Sequence, residues 1–399
     1  MSVERIKYEY RIIDQRAGLD RPALMAVSIH RGVVPRDTLT EDLPRAEDLS
    51  NYKLCERGDI VLNRMRAFQG AIGISPQRGL VSPDYLVLRP NPGADARYLH
   101  HLFRSTWFVG EMVSRLRGIG NTENGNVRTP RINPEDFGDI AVDFPPLDEQ
   151  RRIADFLDAE TARIDQLQAI RDRQSAVFDE LGASRISTIV PNKSSVPYVR
   201  LGYLAGIQSG VTVDGNRDPG KDAIKLPYLR VANVQDGHVD LGSVTEITVP
   251  RVVAKSSTLR RGDVLMTEGG DLDKLGRGTV WLDEIRNCLH QNHVFAVRPD
   301  QRKLVPEYLA LLSRTSYARA YFESTGTKTT NLASTSSSKI RDFRVPLIDL
   351  ASQERVVRET NAWLQDITKV QSALRQQNAL LAERRQALIT AAVLGQIGV

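Results

Sequence analysis

Two kinds of hydrophobic pattern alternate along the chain. Short apolar runs bounded by glycine, proline, asparagine and aspartate fill residues 1–145 and return over 197–347. Runs such as Tyr85–Leu88 have the length and the flanking turn residues of buried strands. Between them, Ala96–Val113 and Pro306–Phe322 have the apolar spacing of helices. Both regions are therefore predicted to be domains that mix helices and strands.

A different pattern follows each of these regions. Residues 148–189 contain no proline and only one glycine, which predicts a single long helix. In the second such segment the apolar residues recur every four and three positions, a heptad seam that Gln377 and Arg384 interrupt. We expect helices on the order of 60 Å long that pack antiparallel within one chain. The residues expected at this helix pairing are Ile153, Leu157, Ile164, Leu167, Trp363, Ile367, Val370 and Leu374.

The two halves of the chain are related by an internal repeat. Gln150–Ile153 is matched 203 residues later by Gln353–Val356, and the same shift aligns many apolar positions of the two helical segments. Arg57–Ile60 is matched 204 residues later by Arg261–Val264. A shift near half the chain length, held over so many positions, predicts a tandem duplication. Its order is domain, helix, domain, helix.

Composition changes this picture only modestly. A chain of 399 residues suits two or more domains, and 41% hydrophobic with 26% charged residues is ordinary for a globular protein. The net charge of +5 permits a polyanionic partner without requiring one. Two cysteines, the absence of an apolar leader and the absence of a long apolar run make a cytoplasmic protein without membrane contact the expectation.

Loop chemistry favours DNA as the partner. Two similar domains on a helical spacer suit a bipartite site, because B-DNA presents a readable major groove once per turn of about 34 Å. Ser114–Arg131 and Ser324–Asn331 mix basic, amide and glycine residues at matching places in the two copies. Arginine can pair with guanine and asparagine with adenine. The residues predicted to contact bases or phosphates of double-stranded DNA are Arg115, Arg117, Asn121, Asn124, Asn126, Arg128, Arg131, Lys274, Arg277, Gln291, Asn292, Lys328 and Asn331.

Several of these segments resemble a known family. Pro145–Ala154 is similar to the start of the central helix in the specificity subunits of type I restriction-modification systems, whose pattern is Pro-Pro-Leu-x-Glu-Gln. Arg57–Arg66 and Thr267–Gly278 resemble two varieties of target-recognition domain in that family. The second joint, Val345–Gln353, departs from the pattern, since only the glutamine and the apolar frame remain.

The resemblance implies an α+β protein with two mixed α/β target-recognition domains separated by long antiparallel coiled-coil helices. The first domain would be residues 1–145 and the second 192–347, with a central spacer and docking helix at 146–191 and a C-terminal helix at 348–399. Each domain would read half of a split, asymmetric DNA sequence.

The resemblance also implies that this chain has no catalytic centre. Its helices would set the spacer and dock two methyltransferase subunits that methylate adenine, and restriction subunits that translocate and cut DNA would join that core. S-adenosylmethionine, ATP and Mg sites would then belong to the partners, and no cofactor or metal site is expected here.

Two other classes of function stay open on sequence grounds. An adaptor would pair protein partners through the helices, with incidental DNA binding and little dependence on salt. A free-standing enzyme would need a catalytic motif. Asp143–Leu147 differs from a methyltransferase loop, because Phe144 intervenes and Leu147 is not aromatic. Cys288, His290 and His293 lack a fourth metal ligand at suitable spacing.

Overall fold

The computed structural model describes residues 3–29, 31–40, 48–116, 130–212, 220–270, 275–328 and 333–399. The chain forms two compact units. The first combines Met1–Asp172 with Arg375–Val399, and the second is Arg173–Leu374. Both units mix helices and strands, which confirms the predicted fold class. Within the described ranges, no helix is long and apolar enough to cross a membrane.

The first unit is built on the antiparallel sheet β2-β9-β6-β7, and the pair β1–β10 joins the two ends of its N-terminal segment. Its strands are β1 (Val3–Arg5), β2 (Tyr10–Ile13), β3 (Met25–Ser28), β4 (Gly32–Pro35), β5 (Lys53–Cys55), β6 (Ile60–Asn63), β7 (Ile72–Ile74), β8 (Gly79–Val81), β9 (Tyr85–Pro90) and β10 (Ala141–Asp143). Its helices are α1 (Ala96–Arg104), α2 (Thr106–Ser114), α3 (Pro134–Gly138) and the part of α4 (Leu147–Ser187) up to residue 172.

An aromatic cluster forms the centre of the first unit's core. The rings of Phe103, Phe108 and Phe137 are fully buried, with centroids 5.0–5.5 Å apart. They pack against the inner face of the sheet, together with Leu157 of α4 and Val393 from the C-terminal segment. The ends of both long helices are therefore part of the domain core rather than a separate module.

The second unit repeats this plan, because its sheet β12-β19-β15-β17 corresponds strand for strand to β2-β9-β6-β7. Its strands are β11 (Tyr198–Arg200), β12 (Ala205–Ser209), β13 (Ala223–Leu229), β14 (Thr245–Pro250), β15 (Val264–Thr267), β16 (Gly269–Gly270), β17 (Gly278–Val280), β18 (Leu289–His290), β19 (Val294–Pro299), β20 (Thr327–Lys328), β21 (Ala333–Ser334) and β22 (Arg344–Pro346). Its helices are α5 (Arg251–Ser257), α6 (Pro306–Ser313), α7 (Ser316–Thr325), α8 (Ser337–Asp342), and parts of α4 and of α9 (Leu350–Val393).

The repeated Arg-Gly-Asp motif is a turn that leads into the central strand of each sheet. Gly58 and Gly262 have φ angles of 92° and 90°, a left-handed conformation that favours glycine. The carboxylates of Asp59 and Asp263 turn back and accept the N–H three residues earlier, at 2.8 Å in both units. The motif survives in both copies because the turn needs both residue types.

A buried glutamine fixes the start of each long helix. The Nε2 atoms of Gln150 and Gln353 donate to the carbonyl five residues earlier and to a loop carbonyl, at 2.8–3.2 Å. Their Oε1 atoms accept the N–H of Asp95 at 2.9 Å and of Val305 at 2.8 Å. One side chain thus satisfies three backbone groups at the joint. This explains why the glutamine is the polar residue that remains in the second joint.

Within each unit, segments of α4 and α9 run antiparallel, as predicted. In the first unit, Arg385 pairs with Asp165 at 3.1 Å and Asn378 donates to Asp172 at 2.8 Å, so rising numbers on one helix meet falling numbers on the other. The first turns of α2 and α7 are fixed to the long helices in the same way, by a backbone N–H that donates to a hydroxyl oxygen. Thr390 Oγ1 accepts the N–H of Thr106 at 3.0 Å, and Ser187 Oγ accepts that of Ser316 at 3.1 Å.

The predicted apolar seam is only partly buried. Ile153, Leu157 and Ile164 are buried, and Trp363, Ile367 and Leu374 are half-buried. Leu167 is 37% exposed and Val370 is 41% exposed. The pairing role of these residues stays a prediction.

Polar side chains hold the helix pair where the apolar seam is weak. Gln377, which interrupts the heptad pattern, accepts a hydrogen bond from Arg171 Nε at 2.9 Å. In the second unit, Gln371 donates to Asp179 at 2.8 Å and to the carbonyl of Ser175 at 3.3 Å. Hydrogen bonds of this kind fix the register of the two helices as well as holding them in contact.

Candidate nucleic-acid interface

Several predicted DNA-contact segments of the second unit meet where β15 ends. The N–H of Thr267 donates to the carbonyl of Arg277 at 3.4 Å. The N–H of Glu268 donates to the carbonyl of His293 at 2.9 Å, and the carbonyl of Glu268 accepts the N–H of Thr335 at 2.7 Å. Segments that are distant in sequence are thereby joined. We call Thr267, Glu268, Arg277, Gln291–His293 and Thr335 the second strand-end cluster.

A polar concavity of about 420 Å³ lies beside this cluster. Two predicted contact residues line it, together with residues that the sequence had not indicated. Its lining residues are Thr212, Tyr228, Arg230, Thr245, Ile247, Gln291, Asn292 and His293. Arg230 is exposed, so the concavity offers a cation beside amide groups. This combination suits a phosphate backbone next to a base edge.

A hydrogen bond to a carboxylate fixes the imidazole at the rim of the concavity. His293 Nδ1 lies 2.6 Å from Glu268 Oε2. Because a carboxylate only accepts, Nδ1 carries the shared proton. The other ring nitrogen, Nε2, lies 3.5 Å from Asn292 Nδ2. The carboxylate of Glu268 is therefore occupied by the imidazole.

The corresponding place in the first unit has the same backbone connection and different side chains. The N–H of Ile132 donates to the carbonyl of Arg64 at 3.1 Å, as Thr335 does to Glu268. The guanidinium of Arg64 donates to the carbonyl of Ile132 at 3.0 Å and to Asn133 Oδ1 at 3.1 Å. Burial, together with the nearby charge of Arg131, lowers the pKa of Arg64. Arg131 thus lies close to this strand end.

Among the remaining predicted contact residues of the first unit, Arg115 alone lies within the described ranges. The guanidinium of Arg115 donates to the carboxylate of Glu111 at 2.6 Å and to its carbonyl at 2.8 Å. Five residues lie outside the described ranges: Arg117, Asn121, Asn124, Asn126 and Arg128. In the second unit, Lys274 and Asn331 lie outside them as well, and Lys328 is described only by its backbone in β20. All these DNA contacts stay predictions.

Sequence reasoning missed the paired character of the two strand ends. Strand pairing aligns Arg64 with Glu268 and Asp84 with His293, so each unit has one acidic and one basic or imidazole residue in opposite order. Arg64 and Asp84 directly flank the paired residues Asn63 and Tyr85, and the charge of Asp84 opposes the lowering of the Arg64 pKa by burial. The internal repeat contains these matching positions, but they can be aligned only once the strand register is known.

The described residues contain no group of three or more histidine, cysteine, aspartate or glutamate side chains that could hold a metal ion. Cys288 is buried, and burial raises the pKa of its thiol. His290 Nδ1 lies 2.7 Å from the carbonyl of Val294, and burial lowers its pKa. These two residues and His293 therefore make separate contacts.

Comparisons with known proteins agree with this architecture. Residues 44–173 match the family model described as type I restriction modification DNA specificity domain. The chain is 23% identical over 330 residues to the EcoKI specificity subunit of Escherichia coli strain K12, which covers 78% of this chain and 68% of that protein. It is 22% identical over 327 residues to the StySPI specificity subunit of Salmonella potsdam, covering 78% and 67% of the two chains.

Two solved structures have the same fold. A chain from a study of complex assembly and conformational transition of the type I R-M system has a TM-score of 0.73 at 18% identity, covering 99% of this chain and 98% of that one. The HsdS subunit from Thermoanaerobacter tengcongensis has a TM-score of 0.55 at 19% identity, covering 99% and 97%.

Proposed function

Because the chain belongs to the family of specificity subunits of type I restriction-modification systems, we propose that it recognises DNA sequence for such a complex. It carries no catalytic centre in this proposal, and chemistry resides in partner subunits. The proposal is supported by the ends of the central strands, where the first unit places Arg64 beside the amide of Asn133 and the second places His293 beside the amides of Gln291 and Asn292.

Each unit reads a different half of a bipartite DNA site in this proposal. The observation that carries this step is a common frame with different side chains at its strand ends. The Arg-Gly-Asp turns and the buried glutamines are alike in both units. At the strand ends, Arg64 and Asp84 stand where the second unit has Glu268 and His293. Different donors and acceptors select different bases, so the target is asymmetric.

The partners we propose are double-stranded DNA and two methyltransferase subunits that modify adenine with S-adenosylmethionine. Restriction subunits that use ATP and Mg would join this core in the cytoplasm. Support for docking comes from apolar side chains that are exposed on the long helices. Ile170 and Leu380 are exposed in the first unit, and Val177 and Leu181 in the second. Exposed apolar residues along a helix are typical of a protein interface.

Mapping modified adenines tests this proposal. The chain is co-expressed with its methyltransferase subunit, and the modified sites are compared with those of chimaeras in which residues 1–145 or 197–347 come from another specificity subunit. Each exchange is expected to change one half of the site and to leave the other half intact. Sites that do not change in either chimaera would contradict the proposal. An adaptor would instead leave no footprint on DNA and bind its partners with little dependence on salt.

A further inference from the structure

We propose that Gln291 determines specificity in the second unit by presenting amide N–H donors to a base edge that offers acceptors. In the major groove a base edge with acceptors and no donor belongs to guanine or thymine. This inference rests on the proposed function and adds the chemical class of base read at one position.

The orientation of the Gln291 amide follows from a backbone donor. The N–H of Val231 lies against Gln291 Oε1, with 3.3 Å between nitrogen and oxygen. An N–H group can only donate, so the carbonyl end of the amide must face it and the NH2 end must face away. No described residue accepts a hydrogen bond from Nε2 of Gln291. The donors of this side chain are thus directed to the concavity.

The backbone around Gln291 is fixed on both sides. Its N–H donates to the carbonyl of Leu229, and its carbonyl accepts the N–H of Val294, both at 2.8 Å. The next N–H, that of Asn292, donates to the carbonyl of Val211 at 3.1 Å. Because the backbone is held in this way and the amide oxygen is held by Val231, the side chain loses less conformational entropy on binding than a free glutamine would. Such rigidity is what a residue that discriminates between bases requires.

The turn that holds the amide is itself fixed by a buried asparagine. Asn233 is fully buried, its Oδ1 accepts the N–H of Arg230 at 2.8 Å, and its Nδ2 donates to the carbonyl of Asp240 at 2.9 Å. These bonds set the direction of the Val231 N–H that orients Gln291. Orientation is therefore determined by the fold of the second unit before any ligand arrives.

The surroundings of Gln291 favour a nucleic acid edge. Arg230 is exposed at the rim, and the carboxylate of Glu268 is hydrogen-bonded to His293. A phosphate can approach from this side while the amide meets a base. At the aligned position the first unit has Ser82, whose hydroxyl both donates and accepts. The two units therefore differ in chemistry at this position.

Gln291→Glu tests the inference with little change of shape. The new carboxylate keeps an oxygen for the Val231 N–H and replaces the two donors by an acceptor. Modified adenines are mapped in cells that express the complete complex with either form of the chain. We expect one position of the second half-site to change from guanine or thymine to adenine or cytosine, with preference altered by roughly 5- to 150-fold. The first half-site should not change.

A matched control is Glu246→Gln. Glu246 forms an exposed ion pair with Lys225 at 2.7 Å in the same unit. It alternates along β14 with Thr245 and Ile247, which line the concavity, so it lies on the opposite face. This variant is expected to keep the wild-type site.

The outcomes separate the inference from the function on which it rests. If the wild-type complex modifies no defined sequence, the proposed function fails and the inference fails with it. If the wild type has a bipartite site and Gln291→Glu has the same site, the inference alone is overturned. Gln291→Ala is expected to relax one position to all four bases. Loss of all modification in both variants would indicate a structural role and would also overturn the inference.

Discussion

Removing Arg298 should destabilise the second unit more than removing the carboxylate that it binds. Arg298 makes two parallel bonds to Asp263, with Nε–Oδ1 at 2.7 Å and Nη2–Oδ2 at 2.6 Å. The side chain of Asp263 is 0% exposed, whereas that of Arg298 is 32% exposed. Water can therefore solvate the arginine when its partner is missing, but it cannot solvate the aspartate.

The expected magnitudes follow from this difference in exposure. Arg298→Ala leaves a buried carboxylate with only the N–H of Arg260, so it should cost about 3 kcal/mol, the low end of the range for breaking a buried pair. Asp263→Ala leaves one unsatisfied N–H and a cation that reaches water, which should cost about 1–2 kcal/mol. The double variant removes the stranded charge and should be more stable than Arg298→Ala alone.

Hydrogen exchange on the full chain measures these free energies. Amides of β15 and β19 report on the second unit, because Val264 and Val297 are paired in its sheet. Arg89→Ala is the matched variant in the first unit, where Arg89 binds Asp59 at 2.8 Å and the carboxylate is 2% exposed. It should affect the first unit in the same way.

Two results would refute this reasoning. One is a smaller loss of protection in Arg298→Ala than in Asp263→Ala. The other is a double variant whose cost equals the sum of the two single costs, since additivity would mean that the pair is not coupled.

Three further predictions concern other fixed points of the fold. Gln353→Ala should lower the free energy of unfolding by about 1–3 kcal/mol, because three partly buried backbone groups lose their partner. Gln365→Ala on the exposed helix surface should have little effect on urea unfolding. A Cβ at Gly210 would overlap the carbonyl oxygens of His290 and Gln291, so Gly210→Ala should abolish recognition of the second half-site in adenine mapping. A Cβ at Gly206 meets open space, so Gly206→Ala should leave recognition unchanged. Burial lowers the pKa of His100 from 6.5 to about 3. On acidification the unfolded state therefore takes up the proton first, and stability falls as the pH drops from 6.5 towards 3. His100→Phe should flatten this part of the curve of unfolding free energy against pH.

The sequence predicted those features that a linear pattern records. The repeat, the mixed domains and the helix starts follow from spacing and from short motifs, and Gln291 and Asn292 could be nominated by residue type. Arg230 could not, because its position at the concavity depends on strands distant in sequence. The heptad pattern counts only apolar positions, so Gln377 registers in it as an interruption. In the structure Gln377 accepts a hydrogen bond from the other long helix. Patterns of hydrophobicity do not show which polar residues are paired.

The paired strand ends also limit how specificity can change. Asp84 lies next to Arg64 in the strand register of the first unit, and Glu268 is hydrogen-bonded to His293 at the aligned positions of the second. Changing Arg64 alone to glutamate would place two carboxylates together, and like charges at close range repel. A new set of donors and acceptors is therefore better tolerated when both members of a pair change together. Exchange of a whole strand-end segment achieves this, whereas a single substitution first passes through a less stable combination.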